Sequence, residues 1–165
     1  EGRRFDEALV EARRAIEIDS TFFVAYQRLG FAYAGLGKYP EAVAAMERSV
    51  HLAPGYVRQK GFLGYMYARA GRTADAHKIL NELLVAEQRT YVPPTSIAIL
   101  YLGLDRREDA LRWIDRGYAG RDGDMVLLKV WPILDSLRGE PRFQALLGRM
   151  RFPEEPLRRA SAATP

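Results

Sequence analysis

The side chains best able to do chemistry are few. His51 and His77 are the only histidines, and they lie too far apart in the sequence to form a two-histidine metal site on one helix. Asp122 and Asp124 flank Gly123, but no further acids follow at the alternate positions of a cation loop, so the pair reads as helix-capping. Gly35-Leu36-Gly37 has the look of a phosphate loop, yet it follows a helical stretch rather than a strand and reads as a helix end. There is no cysteine, and no Ser/His/Asp set can be assembled. The expectation is a non-catalytic chain with no cofactor, no metal and no small-molecule substrate.

Composition narrows the class without naming an activity. The 165 residues are 48% hydrophobic and 28% charged, an ordinary globular balance with enough apolar content for a continuous core. No apolar run approaches the roughly 20 residues that cross a bilayer, so no membrane insertion is expected of this segment. Net charge is +4, carried almost wholly by arginine, and is read as a solvated surface; nucleic acid is the least favoured partner. Without cysteine the compartment stays open, with the cytoplasm favoured over the periplasm.

The elements that would position any site announce themselves by repetition. Ala8, Ala42, Ala76 and Ala110 stand 34 residues apart, each preceded by an acid: Glu7, Glu41, Asp75 and Asp109. Tyr33, Tyr67 and Tyr101 form a second ladder, and Leu29-Gly30, Leu63-Gly64 and Ile97-Ala98 a third. A fixed period of this length marks a repeat protein whose units bury their apolar faces on one another. Within a unit the apolar residues recur at helical spacing, as in Phe23, Tyr26, Leu29, Ala32 and Tyr33. Gly35 and Gly37 end that stretch, and a second helix runs from Tyr39 to Leu52 before Pro54-Gly55. Small residues are needed where paired helices cross, which assigns Gly30 and Gly64 opposite Ala42 and Ala76, with Ala8 and Ala110 as their equivalents. Tyr33, Tyr67 and Tyr101 fill the space beside each crossing.

The 34-residue pattern resembles the tetratricopeptide repeat (TPR). Tyr26, Leu29-Gly30, Tyr33, Gly37, Tyr39, Ala42, Met46 and Pro54 occupy its places in one unit, and Leu63-Gly64, Tyr67, Gly71 and Ala76 do so in the next. The resemblance implies an all-α fold, a right-handed superhelical array of antiparallel helix pairs closed by a C-terminal helical cap. Residues 1–20 are then the second helix of an incomplete repeat, 21–54 and 55–88 complete repeats, and 89–122 a degenerate one whose first helix starts late, at Pro94. Residues 123–153 are capping helices and 154–165 a mobile tail. The closing run, with Glu140-Pro141 as a helix start and Phe143, Leu146, Leu147 and Met150 as its stripe, resembles the segment that ends TPR arrays in bacterial multidomain regulators and kinases.

The family places a peptide groove on the inner face of the first helices. Carried over, its lining is Val24, Gln27, Phe31 and Ala34, then Arg58, Gly61, Tyr65 and Arg69, then Val92, Thr95, Ile99 and Leu102. Members that grip a C-terminal carboxylate carry Lys and Asn where this sequence has Gln27 and Phe31, and again Gly61 and Tyr65, so that clamp is missing. The implied function is a scaffold that binds a protein or peptide in the groove, as part of a larger bacterial regulatory protein. The alternative is a homodimer formed through the N-terminal half-repeat, whose apolar face over residues 5–18 lacks a first helix.

Overall fold

The computed structural model describes residues 2–150. Every regular element among the described residues is helical: α1 (Gly2–Ile18), α2 (Phe23–Gly35), α3 (Tyr39–Leu52), α4 (Val57–Arg69), α5 (Thr73–Glu87), α6 (Pro94–Gly103), α7 (Arg107–Ala119) and α8 (Pro141–Arg149), with 3₁₀ turns at Gly123–Leu127 and Pro132–Leu137. The chain forms two compact units, one ending at Met125 and the other beginning at Val126. The residues expected to form the tail, 154–165, and the last residues of the expected cap, 151–153, lie outside the described residues.

In the first unit the helices pair in antiparallel fashion. Across α2 and α3, Ser49 Oγ donates to the Phe23 carbonyl at 2.8 Å, and a Cβ on Gly30 would meet the Ala42 carbonyl at 3.3 Å. Across α4 and α5, Lys60 pairs with Glu82 at 3.3 Å while Gly64 faces Ile79. Ala42, Ala76 and Ala110 are fully buried, Gly30 and Gly64 are buried, and Ala8 is half-buried. Close packing of helices accounts for a small residue at each place, since a larger one would force the axes apart.

Each first helix ends by the same device. Gly37, Gly71 and Asp105, again 34 residues apart, hold φ of 72°, 79° and 57°. Turning the chain left-handed there lets the next amide reach back: Lys38 N, Arg72 N and Arg106 N donate to the carbonyls of Tyr33, Tyr67 and Tyr101 at 2.9, 2.8 and 2.9 Å. This is the six-to-one closure that satisfies orphan carbonyls at a helix end. Glycine takes that backbone region freely, and aspartate tolerates it.

The acids beside the alanines have a companion explanation. Arg72 and Arg106 stand at the N-caps of α5 and α7, and their Nε atoms donate to Asp75 and Asp109 at 2.7 and 2.6 Å. An acid in the first turn also faces the positive end of the helix dipole.

In the second unit Pro141 occupies the first position of α8, where its missing N–H costs nothing. Leu128, Leu134, Leu137, Phe143 and Leu146 are buried, whereas Leu147 and Met150 are half-buried. Arg138 binds its loop together, pairing with Asp135 at 2.6 Å and donating to the Lys129 carbonyl at 3.1 Å.

Candidate interaction cleft

The residues expected to line one continuous groove separate into two groups. On α2, Val24, Gln27, Phe31 and Ala34 are half-buried, and Phe31 meets Phe62 edge to face with ring centroids 4.7 Å apart. On and before α6, Val92, Thr95, Ile99 and Leu102 are buried, Thr95 and Ile99 to 1% exposure, so they line no open groove. The cause is the approach of α4 to α6. A Cβ on Gly61 would strike the Ser96 backbone, one on Gly64 the Leu100 side chain, and one on Gly103 the Tyr65 backbone at 2.8 Å. Three glycines bring these helices close enough to cover the inner face of α6.

Arg58 and Thr95 have structural partners. Thr95 donates through its N–H and Oγ1 to Asp122 Oδ2 at 3.2 and 2.9 Å, so Asp122 caps the first turn of α6 from 27 positions away. Asp122 Oδ1 accepts from Asp124 N at 3.0 Å, and the Arg58 guanidinium meets Asp124 Oδ1 at 2.5 Å. Burial lifts the Asp124 carboxyl above the ordinary carboxylate range, against the pull of Arg58. The Asp122/Asp124 pair is thus a cap for a helix remote in sequence.

Tyr65 is half-buried and Arg69 exposed on α4. Burial above all, and then Tyr39, pushes the Tyr65 hydroxyl up to about 12. Arg69 sits over the Tyr39 ring at 5.8 Å and 3.7 Å from Asp105. His51 and His77 are exposed, and no group of three or more His, Asp or Glu side chains able to hold a metal occurs among the described residues.

A cleft of about 480 Å³ runs between α1 and α2. Phe5, Ala8, Glu11, Ala12 and Ala15 form one wall, and Phe22, Ala25, Arg28, Phe31 and Ala32 the other. The two helices are antiparallel, because Phe5 at the start of α1 lies over Gly35 at the end of α2. Phe31 is the only residue of the expected groove lining in this wall. None of the others is among the residues expected in a groove: the sequence assigns Ala8 to a helix crossing and Ala32 to the buried stripe of α2, although Ala8, Ala12 and Ala15 at spacings of four and three do mark one helical face of α1.

Residues 23–56, from the start of α2 through the end of α3, match the family model described as tetratricopeptide repeat. This is a protein built on the TPR. No curated protein matches the chain. TPRs are protein-protein interaction modules, typically non-catalytic scaffolds, and an open apolar cleft between helices suits that role. No helix among the described residues is long and apolar enough to cross a membrane.

Proposed function

We propose that this TPR protein is a non-catalytic scaffold that binds a peptide or partner domain in the concave groove, and that the working part of that groove is the α1–α2 cleft. The observation carrying this reading is the cleft itself, with apolar walls and one acid and one base, Glu11 and Arg28, among its lining residues. The companion reading, that the chain is one part of a larger bacterial regulator, is supported by the resemblance of its closing segment. To test the groove, a partner captured on the immobilised chain is titrated against the parent and an Ala8→Tyr variant, which fills the cleft from a half-buried position. A drop in affinity is expected, and equal affinity removes the cleft from the account.

Self-association is the second reading, favoured by Val10 and Ile18 on α1, which are 61% and 81% exposed. A sedimentation profile that stays monomeric at high concentration rejects it.

A further inference from the structure

Tyr39, Tyr65 and Arg69 form a polar cluster that the repeat does not require. Tyr65 and Arg69, four positions apart on α4, share a helical face, and Tyr39 is the first residue of α3. One period earlier the two α4 places hold Phe31 and Gly35, and one period later Ile99 and Gly103; the place of Tyr39 holds Thr73 and Arg107 in the following units. The neighbouring units therefore pack without these two phenols and this guanidinium, and the packing common to the units does not account for the cluster.

The cluster is rich in donors and poor in acceptors. The Tyr39 hydroxyl is the hydrogen-bonding neighbour of both the Tyr65 hydroxyl and the Arg69 guanidinium, which lies 5.8 Å from the Tyr39 ring centroid. Two phenols joined by one bond spend only one of their two protons, and a guanidinium that reaches one phenol keeps most of its N–H groups. The one carboxylate within ion-pair range of Arg69 among the described residues is Asp105, at 3.7 Å, which is beyond a direct hydrogen bond. Both side chains are open to water, Arg69 at 40% and Asp105 at 82% exposure.

Asp105 has the place of a stand-in. It takes the left-handed turn position that Gly37 and Gly71 take in the other units, where glycine is the unstrained choice. The turn gains nothing from its side chain, whose one ion pair among the described residues is the long one to Arg69.

We propose that Arg69, Tyr39 and Tyr65 form a carboxylate-binding site at the end of α4, held loosely by Asp105 until a carboxylate of a partner, from an acidic side chain or a chain end, takes its place. The guanidinium fork meets both carboxylate oxygens in one plane, and the unspent phenolic proton adds a third bond. Of the three residues only Tyr65 falls on a place of the missing lysine–asparagine clamp, and the site does not depend on the α1–α2 cleft.

Two blocked tripeptides are the probes: acetyl-Ala-Glu-Ala-amide offers a side-chain carboxylate alone, and acetyl-Ala-Ala-Ala a terminal one alone. Each is titrated into the whole chain at an ionic strength held constant with chloride, and the Arg69 Nε–H and the Tyr39 and Tyr65 ring resonances are followed by NMR. Saturable shifts at all three residues are expected from at least one peptide, and the peptide that acts identifies the source of the carboxylate. Asp105→Gly, which keeps the turn as Gly71 does, removes the competitor and should tighten binding about two- to fivefold, the range of one exposed ion pair. Arg69→Lys keeps the charge, loses the fork and should bind more weakly. Tyr39→Phe combined with Tyr65→Phe leaves no phenolic donor and should weaken binding about tenfold, the scale of one hydrogen bond to a charged group. Shifts from neither peptide, shifts that chloride alone reproduces, an Asp105→Gly chain that binds no tighter, or an Arg69→Lys chain that binds as well as the parent overturns the proposal.

Discussion

The guanidinium of Arg72 lies 4.3 Å from the ring centroid of Tyr67, five residues before it, and the same pairing recurs between Arg106 and Tyr101 at 4.9 Å. The left-handed residue between them, Gly71 or Asp105, folds the arginine back over the tyrosine, while its Nε holds the first-turn acid of the next helix. One turn thus closes a first helix, opens a second and stacks a cation on a ring. In the first of these turns the Tyr67 hydroxyl also donates to Glu47 of α3 at 2.6 Å, and Arg72 reaches the same carboxylate at 3.2 Å. That contact ties consecutive repeats together.

Tyr67 gives this junction a pH signature. Burial first, then the bond to Glu47, pushes its hydroxyl up to about 12 from an ordinary 10.0, and Tyr65 is pushed equally far by burial. A raised folded value means that the stabilising contribution is complete below pH 10 and is lost as pH climbs through 12. The melting temperature should therefore fall across that window, and Tyr65 and Tyr67 should give their phenolate absorbance late in a spectrophotometric titration. Tyr67→Phe should remove part of the alkaline fall and cost about 0.5–1.5 kcal/mol at neutral pH through the lost hydrogen bond. An unaltered alkaline profile in the variant would place the effect elsewhere.

Glycine substitutions separate the two kinds of helix crossing. An alanine in a helix interior is favoured over glycine by roughly 0.5–1 kcal/mol. At Gly30 the nearest neighbour of an added Cβ is the Ala42 carbonyl at 3.3 Å, so gain and crowding nearly cancel and Gly30→Ala should be close to neutral. At Gly61 the Cβ runs into the Ser96 backbone, which cannot rotate away; overpacking wins, and Gly61→Ala should lose on the order of 1–3 kcal/mol. Gly64→Ala falls between, because the Leu100 side chain it meets can shift. Urea midpoints of the three variants check the order, and a stable Gly61→Ala would show that α4 and α6 do not approach so closely.

These crossings explain what the sequence could and could not reveal. The helix pairs, their ends at Gly37, Gly71 and Asp105, and the late start of α6 at Pro94 depend on residues near one another in the chain, where periodicity and turn chemistry are readable. The burial of Thr95 and Ile99 depends on how near α6 lies to α4, which Gly61 and Ser96 decide across 35 positions. The placement of the Asp122/Asp124 pair was hidden for the same reason: its capping role is right in kind, but the helix it caps begins 28 residues earlier. The spacing of Ala8, Ala12 and Ala15 marks one helical face of α1, yet only the packing of α1 on α2 showed that this face lines a cleft.

Asp124 should leave a mark in acid. Its carboxyl sits above the ordinary value of 3.8, chiefly through burial, with Arg58 opposing. A raised acid favours the fold below its unfolded value, and that contribution is lost as pH rises through the folded one. Asp124→Asn removes this dependence, so the difference in stability between variant and parent should change with pH just above 3.8 and level off at neutral pH. A difference constant from pH 3 to 7 would mean that Asp124 titrates as an ordinary carboxylate.

Gln59 offers the clearest route to a more stable protein. It is fully buried on α4, and neither Nε2 nor Oε1 has a hydrogen-bond partner, while Ser96 Oγ on α6 is likewise buried and unpaired. A buried polar group left unmatched costs about 1–3 kcal/mol, the desolvation penalty without its compensation. Methionine has nearly the same length and flexibility and no such penalty, and helix propensity barely distinguishes the two. Gln59→Met should therefore raise stability by about 1–2 kcal/mol, read as a higher urea midpoint at unchanged slope. Ser96→Ala should add a smaller gain of its own. The competing arrangement is an ordered water at the glutamine amide or the serine hydroxyl, which would satisfy that group and make its substitution destabilising. The sign of the change in midpoint decides between a dry, strained crossing and a hydrated one.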